Sequence, residues 1–378
     1  MRITSASRLS WRLLWHDPAR LATSLGGLAF AVFLMLIQMG FRNSLIDSAT
    51  ALLESLDGDI FIMSKGKDCS IERDSIPILR VQQALSVSGV RAAYPLWFDM
   101  QSWKNLQDGT YRPVRVIGAR IDDPIFLPAD IRDGIPKLQT PGAALLDSRS
   151  RDYYGHVGIG PAQVQREGLS VVSMFAMSTD LEVDGNLIVS DETFFRIGGS
   201  NPDQIELIAV KLTPGSDAAA TVKSLRAGMP GDVAVRTKDE MRALDTEHWD
   251  SGTPVSIIVL IGMVMGFAVG VVICYQILYT EVVDHLAEFA TLRAIGFGKA
   301  YIVAIVLVEA VLLSVVGLIP SLIAGSAMYA LLSAFTGLLL RVTLPRLAFV
   351  SALTILMCVL AGILALRKVL QADPAELF

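Results

Sequence analysis

The sequence predicts a membrane α-helical fold: four transmembrane helices, with a large α+β domain inserted between helices 1 and 2. Three observations predict it. The 378 residues are 52% hydrophobic and only 18% charged, with a mean hydropathy of +0.51, too apolar for an ordinary soluble chain. Apolar runs of spanning length occur once near the start and again after Thr253. Between them lies a polar stretch, Arg42–Thr253, with 22 basic and 30 acidic residues, net −8, against +3 for the remainder of a chain whose total is −5. No basic stripe points to nucleic acid.

The spans follow from length. A hydrocarbon core takes about 20 mostly apolar residues in helical form. Residues 20–41 supply the first span, 254–280 the second, 301–336 the third and 347–366 the fourth. The third stretch is long enough for one helix bent near Pro320 or for two short ones. The first run is longer than the apolar core of a signal peptide and no small-x-small cleavage site follows it, so it reads as an uncleaved anchor.

Lys and Arg in short flanking segments set orientation. The amphipathic segment 1–19 carries Arg2, Arg8 and Arg12, with Arg20 just after it, and the tail 367–378 opens on Arg367 and Lys368. Both ends therefore read as cytoplasmic, which demands an even number of spans. Residues 42–253 are then external, 281–300 form a cytoplasmic loop and 337–346 an external one, where Arg341 and Arg346 run against the charge rule.

In the external region, strand-like runs recur as GDIFIMS, VRAAYPLWFDMQSW, PVRVIGARI, GLSVVSMFAM, GNLIVS, IELIAVKL and DVAVRT. Helical runs are PILRVQQAL and GSDAAATVKSLRAGM. A β-α-β order thus occurs at each end, with mostly strand and loop over about 105–200. The expected arrangement is a split α/β subdomain carrying a β-rich insertion.

Chemistry-bearing motifs are scarce. Cys69, Cys274 and Cys358 form no CxxC, and there is no HExxH. His16, His156, His248 and His285 are far apart. Asp99, Asp147, Ser148, Ser150, Asp152 and His156 are loop-type acids, serines and a histidine with no catalytic spacing. GIGPAQ reads as a turn, and GFGKA lacks the first Gly and the Ser/Thr of a phosphate-binding loop. No catalytic residue, metal site or bound cofactor is expected.

Two features lie inside the spans. Gly262, Gly266 and Gly270 recur every fourth residue, giving one helix face that another backbone can approach closely, either within the chain or across a dimer seam. Glu309 is an intramembrane carboxylate, two turns into the third span, suited either to a hydrogen bond with a neighbouring helix or to substrate or proton handling.

The loop 281–300 is the most specific local signal. In EVVDHLAEFATLRAIG, Val282, Leu286, Phe289 and Ala290 recur at helical spacing, as does Arg293. Glu281, Asp284 and Glu288 precede Arg293, matching the helix dipole, and Gly296 is placed as a left-handed stop. The expectation is a short amphipathic helix between two spans. It either anchors the loop at the lipid surface or acts as a lever for a cytoplasmic partner.

These residues resemble a known family. DGDIFIMS, LIQMGFRNSLIDSAT, the segment WDSGTPVSIIVLIGMVMGFAVGVVICYQILYTEVVDHLAEFATLRAIGF, EAVLLSVVGLIP and ALRKVLQADPAELF are similar to the permease subunits of MacB/FtsX-like ABC transporters, and most of all to the DevC type. The resemblance implies an inner-membrane permease, multi-pass, with both termini cytoplasmic and the large domain periplasmic. It implies that Asp284, Leu286, Glu288, Phe289, Ala290, Thr291, Leu292, Arg293 and Gly296 belong to a coupling helix that docks into a separate ABC ATPase subunit, which carries the ATP and Mg. It further implies a homodimer of permeases, a membrane-fusion adaptor with an outer-membrane channel, and export of a lipid or glycolipid. A second reading is a non-transporting scaffold that relays ATPase motion to a periplasmic cell-envelope partner, as permease-like proteins of cell division do.

Overall fold

A computed structural model describes residues 18–177, 182–198, 201–251, 254–336, 340 and 342–371. Expectations for 1–17 and 372–378, and for most of 337–341, lie outside the described residues. The chain divides into two compact units, 1–42 with 257–331 and 340–378, and 43–256 with 332–339.

The helical unit is built from four helices long and apolar enough to cross a membrane. They are α1 (Pro18–Ala49), α8 (Pro254–Asp284), α10 (Lys299–Thr336) and α11 (Leu344–Gln371), with six short helices and α9 (Leu286–Ala294) falling between them along the chain. α10 is one helix with Pro320 inside it, which settles the choice between one long helix and two short ones. Each helix runs past the expected span. α1 continues to Ala49 because Leu45 and Ala49 keep a buried helical stripe beyond Arg42. The shared core holds Leu28, Val32 and Met35 of α1, Cys274 and Leu278 of α8, Ala310 and Leu313 of α10, and Met357, Cys358 and Ala361 of α11.

The α/β unit centres on one nine-stranded sheet. Its strands are β1 (Ile60–Ser64), β3 (Val90–Lys104), β4 (Tyr111–Ala119), β5 (Ala143–Asp147), β6 (Gly160–Val164), β7 (Glu167–Phe175), β8 (Asn186–Ser190), β10 (Leu207–Leu212) and β11 (Val233–Thr237). They lie in the order β11-β1-β10-β3-β4-β8-β5-β7-β6. β2 (Ile76–Pro77) and β9 (Gln204–Ile205) pair separately. All seven strand-like runs become strands.

The split subdomain and its insertion share this one sheet. β3 pairs with β10 from Val90 to Leu96 and with β4 from Leu96 to Lys104, so Leu96 has a partner on both sides. β6 returns to pair with β3 at Trp103 and Val164, closing β3-β4-β8-β5-β7-β6 into a ring. The seam is held by Trp103, whose indole Nε1 donates to Tyr154 O at 3.1 Å and whose ring stacks on Tyr154 at 5.0 Å. GIGPAQ, expected as a turn, instead runs into β6. Its Pro161 is tolerated because β6 meets β3 only at Val164, so the edge beside Pro161 carries no ladder.

Successive residues point to opposite faces, and both faces are covered. Val114, Val116, Leu187 and Val189 enter one core, while Ile117, Ala119 and Ile188 enter the other. This two-sided burial explains why β5 and β8 are apolar without alternation, every residue of each being buried.

The helices of this unit are α2 (Ala51–Ser55), α3 (Leu79–Leu85), α4 (Ala129–Gly134), α5 (Asp191–Arg196), α6 (Ala218–Gly228) and α7 (Lys238–Ser251). α6 is capped by Asp217, whose carboxylate accepts from the amides of Ala219 at 2.9 Å and Ala220 at 3.3 Å. α7 was not among the expected elements, because its surface is highly charged. Its start carries a capping box: Thr237 Oγ1 accepts from Glu240 N at 3.1 Å, and Thr237 N donates to Glu240 Oε2 at 2.9 Å.

Candidate functional site

The site is built from α9 (Leu286–Ala294), the short helix between α8 and α10. Its path out of α8 is almost unbroken. His285 N donates to Glu281 O at 3.2 Å, and Phe289 N donates to His285 O at 3.0 Å. Backbone hydrogen bonds therefore run on from the end of α8 into α9.

The far end is a glycine-closed cap. Gly296 has φ +104°, a left-handed conformation that a side chain disfavours. Phe297 N then reaches back to Leu292 O at 3.1 Å, the six-to-one bond of a Schellman motif. The Phe297 ring stacks on Tyr301 at 4.6 Å in the first turn of α10, fixing the exit. The stop expected at Gly296 is present in detail.

α9 has two unlike faces. Phe289 is buried in a cluster with Val282 of α8, Ile302, Ile305 and Val306 of α10, and Leu366 of α11, with Leu292 packed on its edge. Asp284, Glu288, Ala290, Thr291 and Gly296 are exposed, and Leu286 is half-buried. Ala290 thus falls on the open side, and not with Val282 and Phe289, because the buried face needs only the Phe289 and Leu292 positions. Arg293 sits in the last turn of the helix; its side chain lies outside the described residues.

Across the first turn His285 Nδ1 lies 3.2 Å from Glu288 Oε2. Beside the exposed helical residues stand Ile295, 70% exposed, and the partly open Phe297. Sequence reasoning did not single out these two. The signal was the pair of apolar residues flanking Gly296, in a loop with no core left to receive them.

The three glycines of α8 face α1 and α11 of the same chain. A Cβ on Gly262 would lie 2.5 Å from Gln38 Nε2, and one on Gly266 would lie 3.4 Å from Met35 Cγ. One on Gly270 would overlap Met357 Sδ and lie 3.0 Å from the Ala31 Cβ. Glu309 is buried in α10 one turn after Ile305 and next to Ala310 of the bundle core.

The acids weighed in the α/β unit do not gather into a reactive set. Asp147 Oδ1 accepts from Arg149 N at 3.0 Å and Met177 N at 3.2 Å, while its Oδ2 accepts from Asn186 Nδ2 at 2.9 Å, so it ties three segments together. Asp99 pairs with Arg73 at 2.9 Å on the surface. No group of three or more metal-ligating side chains is found among the described residues.

Residues 255–374 match the family model of the FtsX-like permease C-terminal region. Among solved structures, the periplasmic region of MacB from Actinobacillus actinomycetemcomitans is 14% identical, covers 49% of this chain and 90% of its own, and gives a TM-score of 0.34. The extracellular domain of YknZ, a noncanonic ABC-type transporter from Gram-positive bacteria, is 10% identical, covers 48% of this chain and 99% of its own, and gives a TM-score of 0.31. No curated protein matches the chain. The matched segment contains α9 and three of the four long apolar helices found among the described residues.

Proposed function

We propose that this chain is the transmembrane subunit of an ABC exporter, in which a separate ATPase drives the membrane helices and, through them, the external domain. The observation that carries the reading is the two-faced α9. One face is locked onto α8, α10 and α11 through Phe289, and the other offers Glu288, Ala290, Thr291 and Ile295 to a partner. In this reading both termini and α9 are cytoplasmic, and the α/β unit stands in the periplasm of an inner-membrane protein. Two copies work with two ATPase subunits. A membrane-fusion adaptor and an outer-membrane channel receive a lipid- or glycolipid-like cargo. ATP and Mg reside on the ATPase; this chain supplies mechanical coupling and no chemistry.

The test is purification of the tagged full-length chain from native membranes, with co-purifying proteins and lipids identified by mass spectrometry. An ABC ATPase is expected in the eluate, and Ile295→Asp is expected to remove it while leaving the permease yield and gel-filtration profile unchanged. Absence of any ATPase, or its full retention by that variant, refutes the reading. Recovery of the ATPase with a cell-wall hydrolase and no adaptor supports the relay alternative in place of export.

A further inference from the structure

The bundle core contains a pair of thiols that the coupling reading does not use. Cys274 of α8 and Cys358 of α11 are 84 positions apart in sequence, both wholly buried, with their Sγ atoms 3.6 Å apart. The proximity is built by the helix contact beneath it. Gly270, one turn before Cys274, has no side chain, and Met357, the residue before Cys358, fills that space. Small residues on both helices, Ala361 on α11 among them, keep the backbones close at this level. A disulfide needs the sulfurs at about 2.05 Å, so closure asks for a movement of about 1.5 Å.

We propose that Cys274 and Cys358 are a redox modification site, forming an intrachain disulfide that staples α8 to α11. The oxidant is a small peroxide, hydrogen peroxide being the simplest. One cysteine sulfur attacks a peroxide oxygen, the O–O bond breaks, and water leaves, giving a sulfenic acid. The second thiol sulfur attacks that sulfur, the S–O bond breaks, and a second water carries away the hydroxyl and the thiol proton. Two thiols and one peroxide thus become one disulfide and two waters, with two electrons passing from sulfur to the peroxide. A dithiol reductant reverses the step by exchange.

The consequence is mechanical. α8 runs on through His285 into α9, so fixing α8 against α11 holds the loop that α9 occupies. The third cysteine does not compete. Cys69 lies in the other unit, where no second cysteine stands to pair with it.

The experiment uses the full-length chain in native membrane vesicles treated with hydrogen peroxide. Free thiols are then blocked with N-ethylmaleimide in denaturant, the sample is reduced, and newly freed thiols are tagged with a polyethylene-glycol maleimide. The expected result is a double tag on a chain that migrates as a monomer before reduction, no tag without peroxide, and no double tag in Cys274→Ser or Cys358→Ser. Cys69→Ser is expected to keep the double tag. Because either serine variant in the core could fail to fold, peptide mapping of the oxidised wild-type chain decides independently. A peptide joining Cys274 to Cys358, two hydrogens lighter than the sum of its parts, is expected. Absence of that peptide, tags that survive in both single variants, or a bridge found only between two chains overturns the assignment.

Discussion

Lys67 is buried, 3% exposed, in the α/β unit, where its ammonium donates to Glu206 O at 2.9 Å and lies 4.8 Å from the centre of the Phe98 ring. Burial lowers its pKa from the ordinary 10.5 to about 8, and the Glu206 carboxylate, followed by Asp74, resists that fall. The unfolded chain therefore binds more protons than the fold between those two values, and stability rises with pH across that window. The full difference is worth about 3 kcal/mol, at roughly 1.4 kcal/mol per pH unit. Between about pH 7.5 and 9 the expected gain is about 1 kcal/mol. Cys69 works the other way: its thiol is raised by burial to about 11, so the fold loses stability as pH climbs from its ordinary 9.0 toward that value. By pH 9 this subtracts about 0.4 kcal/mol, which the Cys69→Ala background removes. The assay is urea unfolding of the full-length Cys69→Ala chain in detergent, followed by tryptophan fluorescence, since Trp97, Trp103 and Trp249 are all buried in this unit. A free energy that is flat or falls from pH 7.5 to 9, or an equal rise after Lys67→Met, refutes the reasoning.

Two further predictions concern the helical unit. Alanine at the three α8 glycines should give a graded series in thermal stability measured by fluorescence-detected gel filtration. Gly266→Ala should be near neutral, since its Cβ meets only ordinary contacts, and Gly262→Ala mild, since only the flexible Gln38 side chain must move. Gly270→Ala should cost about 1–3 kcal/mol, since Met357 must shift and Ala31 cannot. Phe289→Ala should cost about 3 kcal/mol by emptying the cluster around Val282 and Leu366, whereas Glu288→Ala, on the open face, should change stability by less than about 0.5 kcal/mol in the same assay.

Much of this architecture was legible before any coordinates, for physical reasons. Spans announce themselves by length and hydropathy, and α10 and α8 fit with shifts of only a few residues at their ends. The strands of the α/β unit were visible because β-branched and aromatic runs are bounded by Gly, Asp and Ser. What was not visible was their order. The sheet pairs β1 with both β10 and β11, about 150 residues or more away, and such non-local pairing leaves no periodic trace in one sequence. The charge of α7 masks its helical pattern, although the Thr237 and Glu240 capping box is present in the sequence. At the candidate site, the Gly296 stop and the buried Phe289 could be read from spacing. The exposure of Ala290 and Ile295 could not, because it depends on how many side chains the cluster around Val306 has room to receive.

The double partnering of Leu96 bears on how force would cross the α/β unit. β3 is fifteen residues long, about 50 Å of extended chain, and no loop interrupts it. A body spliced by such a spar has no crease along which to fold. β3 thus runs unbroken from the β10 pairing to the Trp103 seam, tying the β1 and β11 side of the sheet to the far ring through a single strand.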